Sequence, residues 1–282
     1  MKSKRPPGAI RRFLRRRSAL LGAVFLLLIF LTAILGPHLW QVSPWDMMGM
    51  PLTAPGEEAE FPLGTDLLGR DVLSGMLYGA QVSLLVGIAA ALASILIGTA
   101  VGAIGGFYRG KVDAALVRVT ELFQTIPAFL QTIVVVVVFD PTMMTIIISI
   151  AISSWPPVAR LVRGEVLTLR ERDFVYAART VGMGDGRIIL TQILPAAMPP
   201  VIVMSSFMIA TAILTEAGLS FLGLSDPNVM TWGTIIGAGR DALNQAQYLT
   251  IIPGVAIMLT VISLNLVGEG LNDALNPRLR ER

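Results

Sequence analysis

The sequence has no cysteine and one histidine in 282 residues. Without cysteine there are no disulfides, no thiolate nucleophile and no cysteine-based metal centre. A lone histidine, His38, rules out paired-histidine metal motifs and makes a histidine-dependent hydrolase hard to build. Its place beside an apolar run suits an interfacial hydrogen bond. Charge is scarce as well. Asp, Glu, Lys and Arg make up 15% of the chain, against about a quarter in a soluble domain. Apolar residues make up 54%, and mean hydropathy is +0.71. These values describe an all-α integral membrane protein.

Six apolar runs are long enough to cross a bilayer. The first, Ala19–Leu35, follows a basic head (residues 1–17) that carries Lys2, Lys4, Arg5, Arg11, Arg12, Arg15, Arg16 and Arg17. A signal peptide has a similar outline, but this run is long and lacks a small-x-small cleavage site. Residues 18–36 therefore read as an uncleaved anchor that ends at Gly36-Pro37. Residues 37–80 are more polar, with Glu57, Glu58 and Glu60, and with Trp40 and Trp45 suited to an interface. Within them Thr65 or Asp66 is placed to cap an interfacial helix before the next span.

The remaining spans, in residues 81–282, are expected at Val82–Phe107, Ala114–Phe139, Met143–Leu161, Val201–Leu222 and Leu249–Gly268. Gly98, Gly102 and Gly106 lie four apart in the second, a bare stripe that lets another helix approach. Pro127 is expected to bend the third, and Trp155-Pro156-Pro157 the fourth. Pro199-Pro200 introduces the fifth, and Glu269 closes the sixth. This topology puts all but Arg70 and Arg240 of the 22 Lys and Arg on one side. The positive-inside rule makes that side cytoplasmic, with both termini on it.

Several motifs need weighing. Gly105 to Lys111 spells GGFYRGK, the skeleton of a phosphate-binding loop. Val112 stands where Mg²⁺ needs Ser or Thr, and a membrane run precedes it instead of a strand. No ATP site is expected here. Two acids lie at membrane depth, Glu121 and Glu216. Glu121 is three residues from Arg118 and can pair with it. Glu216 must face protein or water. It reads as a helix-to-loop anchor or, in an ion-coupled secondary transporter, as an ion carrier alongside Glu121. Gly218-Leu219-Ser220-Phe221 has the outline of an intramembrane serine protease, yet no histidine follows it. No catalytic or metal-ligating set is expected.

The most polar stretch inside the chain is Arg160–Pro195, within a loop bounded at 160–199. It holds Arg160, Arg163, Arg170, Arg172, Arg179 and Arg187. It reads as two short helices broken at residues 182–186 and stopped at Pro195. Ala177 and Ala178 offer a smooth surface for burial against a partner. Gly182 permits a reversal. On these residues alone, a connector held by lipid phosphates and a docking surface both remain open.

The spacing resembles the EAA loop of ABC-importer permeases. Ala177, Ala178, Gly182, Leu194 and Pro195 match it. Tyr176 replaces the family's glutamate, and Gln192 stands where Ile or His is frequent. The segments LGTDLLGRDVLS (63–74), SWPPVARLVRGEVLTLRERDFV (154–175), EAGLSFLGL (216–224) and NLVGEGLNDALNPRLR (265–280) are similar to the C-type subunit of the dipeptide/oligopeptide/nickel permeases. The resemblance implies a MetI-like six-helix subunit in a bacterial inner membrane, beside a second homologous permease. It also implies two ATPase subunits that carry ATP and Mg, and an external solute-binding protein. No cofactor is expected on this chain and no nucleic acid among its partners. Coupling to the ATPases would fall to Arg170, Tyr176, Ala177, Ala178, Arg179, Gly182, Asp185, Gln192, Leu194 and Pro195. Peptides lead the solutes so implied, with nickel chelates, glutathione and oligosaccharides as alternatives.

Overall fold

A computed structural model describes residues 9–275. The charges at Lys2, Lys4 and Arg5 and the end of the basic tail (Pro277, Arg278, Leu279, Arg280) lie outside the described residues. Every apolar run is helical. Among the described residues there is no strand, only two isolated bridges, Met47 with Arg70 and Thr65 with Asp71.

A short helix α1 (Ala9–Arg15) leads into α2 (Arg17–Leu39). The expected stop at Gly36-Pro37 is not there, and α2 runs on through Pro37 to Leu39. A proline in the last turn removes one hydrogen bond, whereas unwinding would leave several backbone groups without partners in lipid. α3 (Val72–Tyr108) is one helix of 37 residues. The separate interfacial helix expected before it does not form. Its cap is Asp71, which accepts from the amides of Leu73 and Ser74, not Thr65 or Asp66. Asp66 folds the preceding loop instead, accepting from the amides of Leu68 and Arg70.

The third run is two helices, α4 (Gly110–Thr125) and α5 (Ala128–Phe139), which meet at 83°. Pro127 does more than bend it. Ile126 is extended, as a residue before proline prefers. The Gln131 side chain donates to the freed carbonyls of Phe123 and Ile126. With 12 residues, α5 is about 18 Å long, short of the roughly 30 Å hydrocarbon layer. α4 packs along α6 (Met143–Leu169). Asp113 meets Arg163, and Phe123 packs edge-on against Trp155, so the two anchors are about 12 Å apart along α6.

α6 passes Pro156-Pro157 unbroken and continues eight residues beyond the expected Leu161. After α7 (Asp173–Thr180), α8 (Asp185–Ile188) runs through a π-turn at Ile189–Ile193 into α9 (Leu194–Phe221). Pro195 therefore does not stop the helix, and Pro199-Pro200 lie inside α9 rather than before it. α10 (Trp232–Gly239) and α11 (Tyr248–Leu275) complete the chain. α11 continues past Glu269 to Leu275, and Arg16 bridges Glu269 and Asp273, tying its last turns to the start of α2. Of the six expected crossings, five are continuous helices long and apolar enough to span, and the bent pair α4–α5 makes the sixth where it is taken as one span.

The centre of the bundle is α3 against α6. A Cβ on Gly98 would stand 2.7 Å from the Trp155 carbonyl. On Gly102 it would stand 2.4 Å from that of Ala159, and on Gly106 2.9 Å from that of Arg163. Each glycine step of four matches a step of four on α6, so the two helices run parallel in backbone contact.

Candidate coupling surface and buried acids

The connector between α6 and α9 is built from the end of α3 outward. Phe107 is buried at that end. Arg170, capping α6, donates to the Phe107 carbonyl. The guanidinium carbons of Arg170 and Arg179 lie 5.9 Å and 5.3 Å from the Phe107 ring centre. Glu171 accepts from Arg109 at 3.1 Å and from the Tyr176 hydroxyl at 2.7 Å. That hydroxyl, with Arg109, Arg170 and Arg179 nearby, holds the Glu171 carboxyl below its ordinary range. The same bond raises the Tyr176 phenol above its own. Tyr176 is thus committed within the chain.

α7 has two faces. Val175 and Ala178 are buried with Phe107, Val162, Val166, Ile188 and Ile193. Phe174, Tyr176, Ala177, Arg179 and Val181 are exposed. This corrects the reading of the alanine pair: Ala177 faces outward, but Ala178 is 9% exposed and belongs to the core. Residues 177 and 178 differ by about 100° around a helix, so only one of them can share the outer face.

α7 ends in a Schellman turn. The Met183 amide donates to Ala178 and the Gly182 amide to Arg179, with Gly182 at φ +78°. The reversal expected at Gly182 is present. Asp185 lies exposed in the first turn of α8, where its charge suits the helix dipole. Gln192 is half-buried in the π-turn, in which the Leu194 amide bonds the Ile189 carbonyl. Pro195 follows in the widened turn, exposed. Leu194 packs against the same core as α7.

The two membrane-depth acids differ. Glu121 pairs with Arg118 at 3.1 Å, and both are well exposed. Glu216 is 2% exposed and accepts from Ser220 at 2.9 Å and from Thr231 at 2.7 Å. Thr231 caps α10, so Glu216 ties α9 to the following loop, which is the anchor reading. Sequence reasoning missed Asp113, which takes a two-pronged bond from Arg163 (2.5 and 2.6 Å). Its place in the first turn of an amphipathic helix, with a basic run fifty residues on, was the only signal.

The profile of a family described as "Binding-protein-dependent transport system inner membrane component" matches residues 94–281. The chain belongs to this family. A second profile, the N-terminal TM domain of oligopeptide transport permease C, matches residues 8–55. A putative peptide transport system permease protein of Brucella suis is 40% identical, the match covering 96% of this chain and 91% of that protein. The di/tripeptide transport system permease protein DppC of Pseudomonas aeruginosa is 36% identical over 95% of this chain and 90% of its own. Among solved structures, an inward-facing methionine ABC transporter superposes with TM-score 0.60 at 17% identity. It covers 73% of this chain and 98% of that chain, and so supports the MetI-like fold. As a family member the chain is a multi-pass inner-membrane permease subunit of an ABC importer, which works with ATPase and substrate-binding partners.

Proposed function

We propose that this permease forms the translocation path of a peptide importer together with a second, homologous permease, and that α7 is the part gripped by an ATPase subunit. The peptide relatives support the solute class. ATP and Mg bind the ATPases, and this chain carries no cofactor. The connector and both termini lie on the cytoplasmic side, a reading supported by the clustering of Arg109, Lys111, Arg160, Arg163, Arg170, Arg172, Arg179 and Arg187 at one end.

One observation carries the coupling role. α7 has one face locked into the core between α3, α6 and α9, and the other exposed, carrying Phe174, Tyr176, Ala177 and Arg179. It connects to α6 through a short turn and to α9 through the Gly182 turn and α8. A push on its outer face moves two spanning helices directly. ATP-driven closure of the ATPases would tilt α6 and α9 against the partner permease and open the path toward the solute-binding protein. Glu216, held by Ser220 and Thr231, serves as an anchor in this mechanism and not as an ion carrier.

The natural absence of cysteine makes the test clean. Ala177→Cys is expected to cross-link to a cysteine on the ATPase surface in the assembled transporter, and buried Ala178→Cys is not. Failure at Ala177, or solute transport by this chain alone without ATP, would overturn the reading.

A further inference from the structure

At the end of the molecule opposite the connector, a cleft of about 150 Å³ lies between the loop before α3, the first turns of α3, the 225–230 connector and α10. Its wall includes Trp45, Asp66, Arg70, Asp71, Asp226 and Ala238. Most of its surface is apolar, so the few charged groups decide what it takes.

The three carboxylates are already filled. Asp66 accepts from two amides and from Arg70 Nε at 2.7 Å. Asp71 accepts from the Leu73 and Ser74 amides and from Trp40 Nε1. Asp226 accepts from the amides of Met143 and Asn228. Asp71 caps α3 and Asp226 bonds the first amide of α6, so helix dipoles offset both charges. Arg70 is different. Its side chain is 17% exposed and lies 5.5 Å from the centre of the Trp45 ring. Only its Nε has an acceptor among the described residues. Its two outer nitrogens form a planar fork that matches a carboxylate.

We propose that this cleft receives a carboxylate side chain of the solute-binding protein, gripped by the Arg70 fork over Trp45. The inference rests on the proposed orientation, which puts this end outside. Two further features favour a side chain of the binding protein over the solute. The cavity admits one side chain or chain end. Among the described residues, the spanning helices line it only through the first turn of α3, at Val72 and Gly75, so it lies at the rim of the bundle and not along it. Asp66 and Trp45 hold the guanidinium ready, as a recognition site requires.

The test uses the assembled transporter in nanodiscs with its own solute-binding protein. Arg70→Gln is expected to weaken binding about thirty-fold or more and to flatten its dependence on salt. Ala238→Phe fills the cleft, leaves the Arg70–Asp66 pair intact, and is expected to weaken binding comparably. It decides the matter if Arg70→Gln disturbs the loop. Should both variants stay within about twofold of the natural protein, the proposal is wrong. A dipeptide added without the binding protein separates the sources. If it binds, and Arg70→Gln abolishes that binding, the carboxylate belongs to the solute and the docking assignment is overturned. Labelling of a cysteine at exposed Glu58 by an impermeant maleimide tests the orientation separately. No labelling from outside sinks the orientation, whereas labelling with unchanged binding sinks only the cleft.

Discussion

Replacing Gly102 by alanine adds one methyl group where α3 and α6 touch. The new Cβ would lie 2.4 Å from the Ala159 carbonyl oxygen, 2.9 Å from Val162 Cβ and 3.0 Å from the Arg163 amide nitrogen. Two of these atoms are backbone and cannot swing aside. Ordinary contact begins near 3.4 Å, so the helices must part by about 1 Å there. Gly98 and Gly106, one turn away on either side, would lose contact with the same neighbour. Overpacking of this kind costs about 1–3 kcal/mol, and alanine's better helix propensity returns roughly 0.5–1 kcal/mol. The net loss is about 1–2 kcal/mol. Gly164, on α6, is the internal control, because a Cβ there meets nothing within 4 Å. Gly164→Ala keeps only the propensity gain. The two variants should differ by about 2 kcal/mol, or roughly 4 °C in melting temperature. Thermal unfolding of the purified protein, followed by tryptophan fluorescence, reads this, since Trp155 lies at the Gly98 contact. If Gly102→Ala melts with or above Gly164→Ala, the stripe does not set the helix spacing.

Gly182→Val keeps open space around it but forces a β-branched residue to φ +78°, a strain of about 1–2 kcal/mol. The fold should persist while stimulation of the ATPase by loaded binding protein falls; unchanged stimulation would remove α7 from the docking role. Glu216→Gln keeps an acceptor for Ser220 and Thr231 and should transport normally, whereas Glu216→Leu removes the acceptor of both hydroxyl protons and should cost about 1–3 kcal/mol. Loss of transport in the Gln variant, with stability intact, would favour an ion-carrying role. The Tyr176–Glu171 bond should be indifferent to pH from about 6 to 9. Glu171 is lowered from 4.5, so its contribution is complete above that value and fades as pH falls through the lowered one. Tyr176 is raised from 10.0, so its contribution is complete below that value and fades as pH rises through the raised one. Hydrogen exchange over 173–180, corrected for intrinsic rate, tests this, and a transition near pH 7 would contradict it.

The existence of the spans was legible because hydropathy needs only composition over some twenty residues. The glycine stripe was legible because a period of four is a face. The turn at Gly182 was legible too, since glycine takes a positive φ without steric cost. What could not be read depends on distant partners. Thr65, Asp66 and Asp71 are all competent caps, and Asp71 becomes the cap of α3 where the Trp40 indole also donates to it. Ala177 and Ala178 are chemically identical. Which one faces out is set by where Val175 meets the α3–α6 core, a contact with residues far away in sequence.

Proline was the most misleading signal, and its failures share a cause. Pro37 and Pro195, expected to end helices, and Pro199 and Pro200, expected to precede one, all sit within continuous helical stretches, and the helix through Pro156 and Pro157, where a bend was expected, is likewise unbroken. Among the described residues, Pro127 is the one proline within an expected span that marks a break. In water a proline ends a helix because solvent takes up the freed carbonyls. In hydrocarbon no solvent does so, and unwinding exposes more groups than it relieves. The exception fits this rule. At Pro127 the chain supplies its own donor, the Gln131 amide, to the carbonyls that the break exposes. At Pro195 the relief comes from a widened turn, with the Leu194 amide reaching Ile189 one residue farther back than usual. That π-turn keeps α8 and α9 in one piece. Under the proposed coupling role, a displacement of α8 would pass into a spanning helix without a hinge, the stiffness that a force-transmitting connector needs.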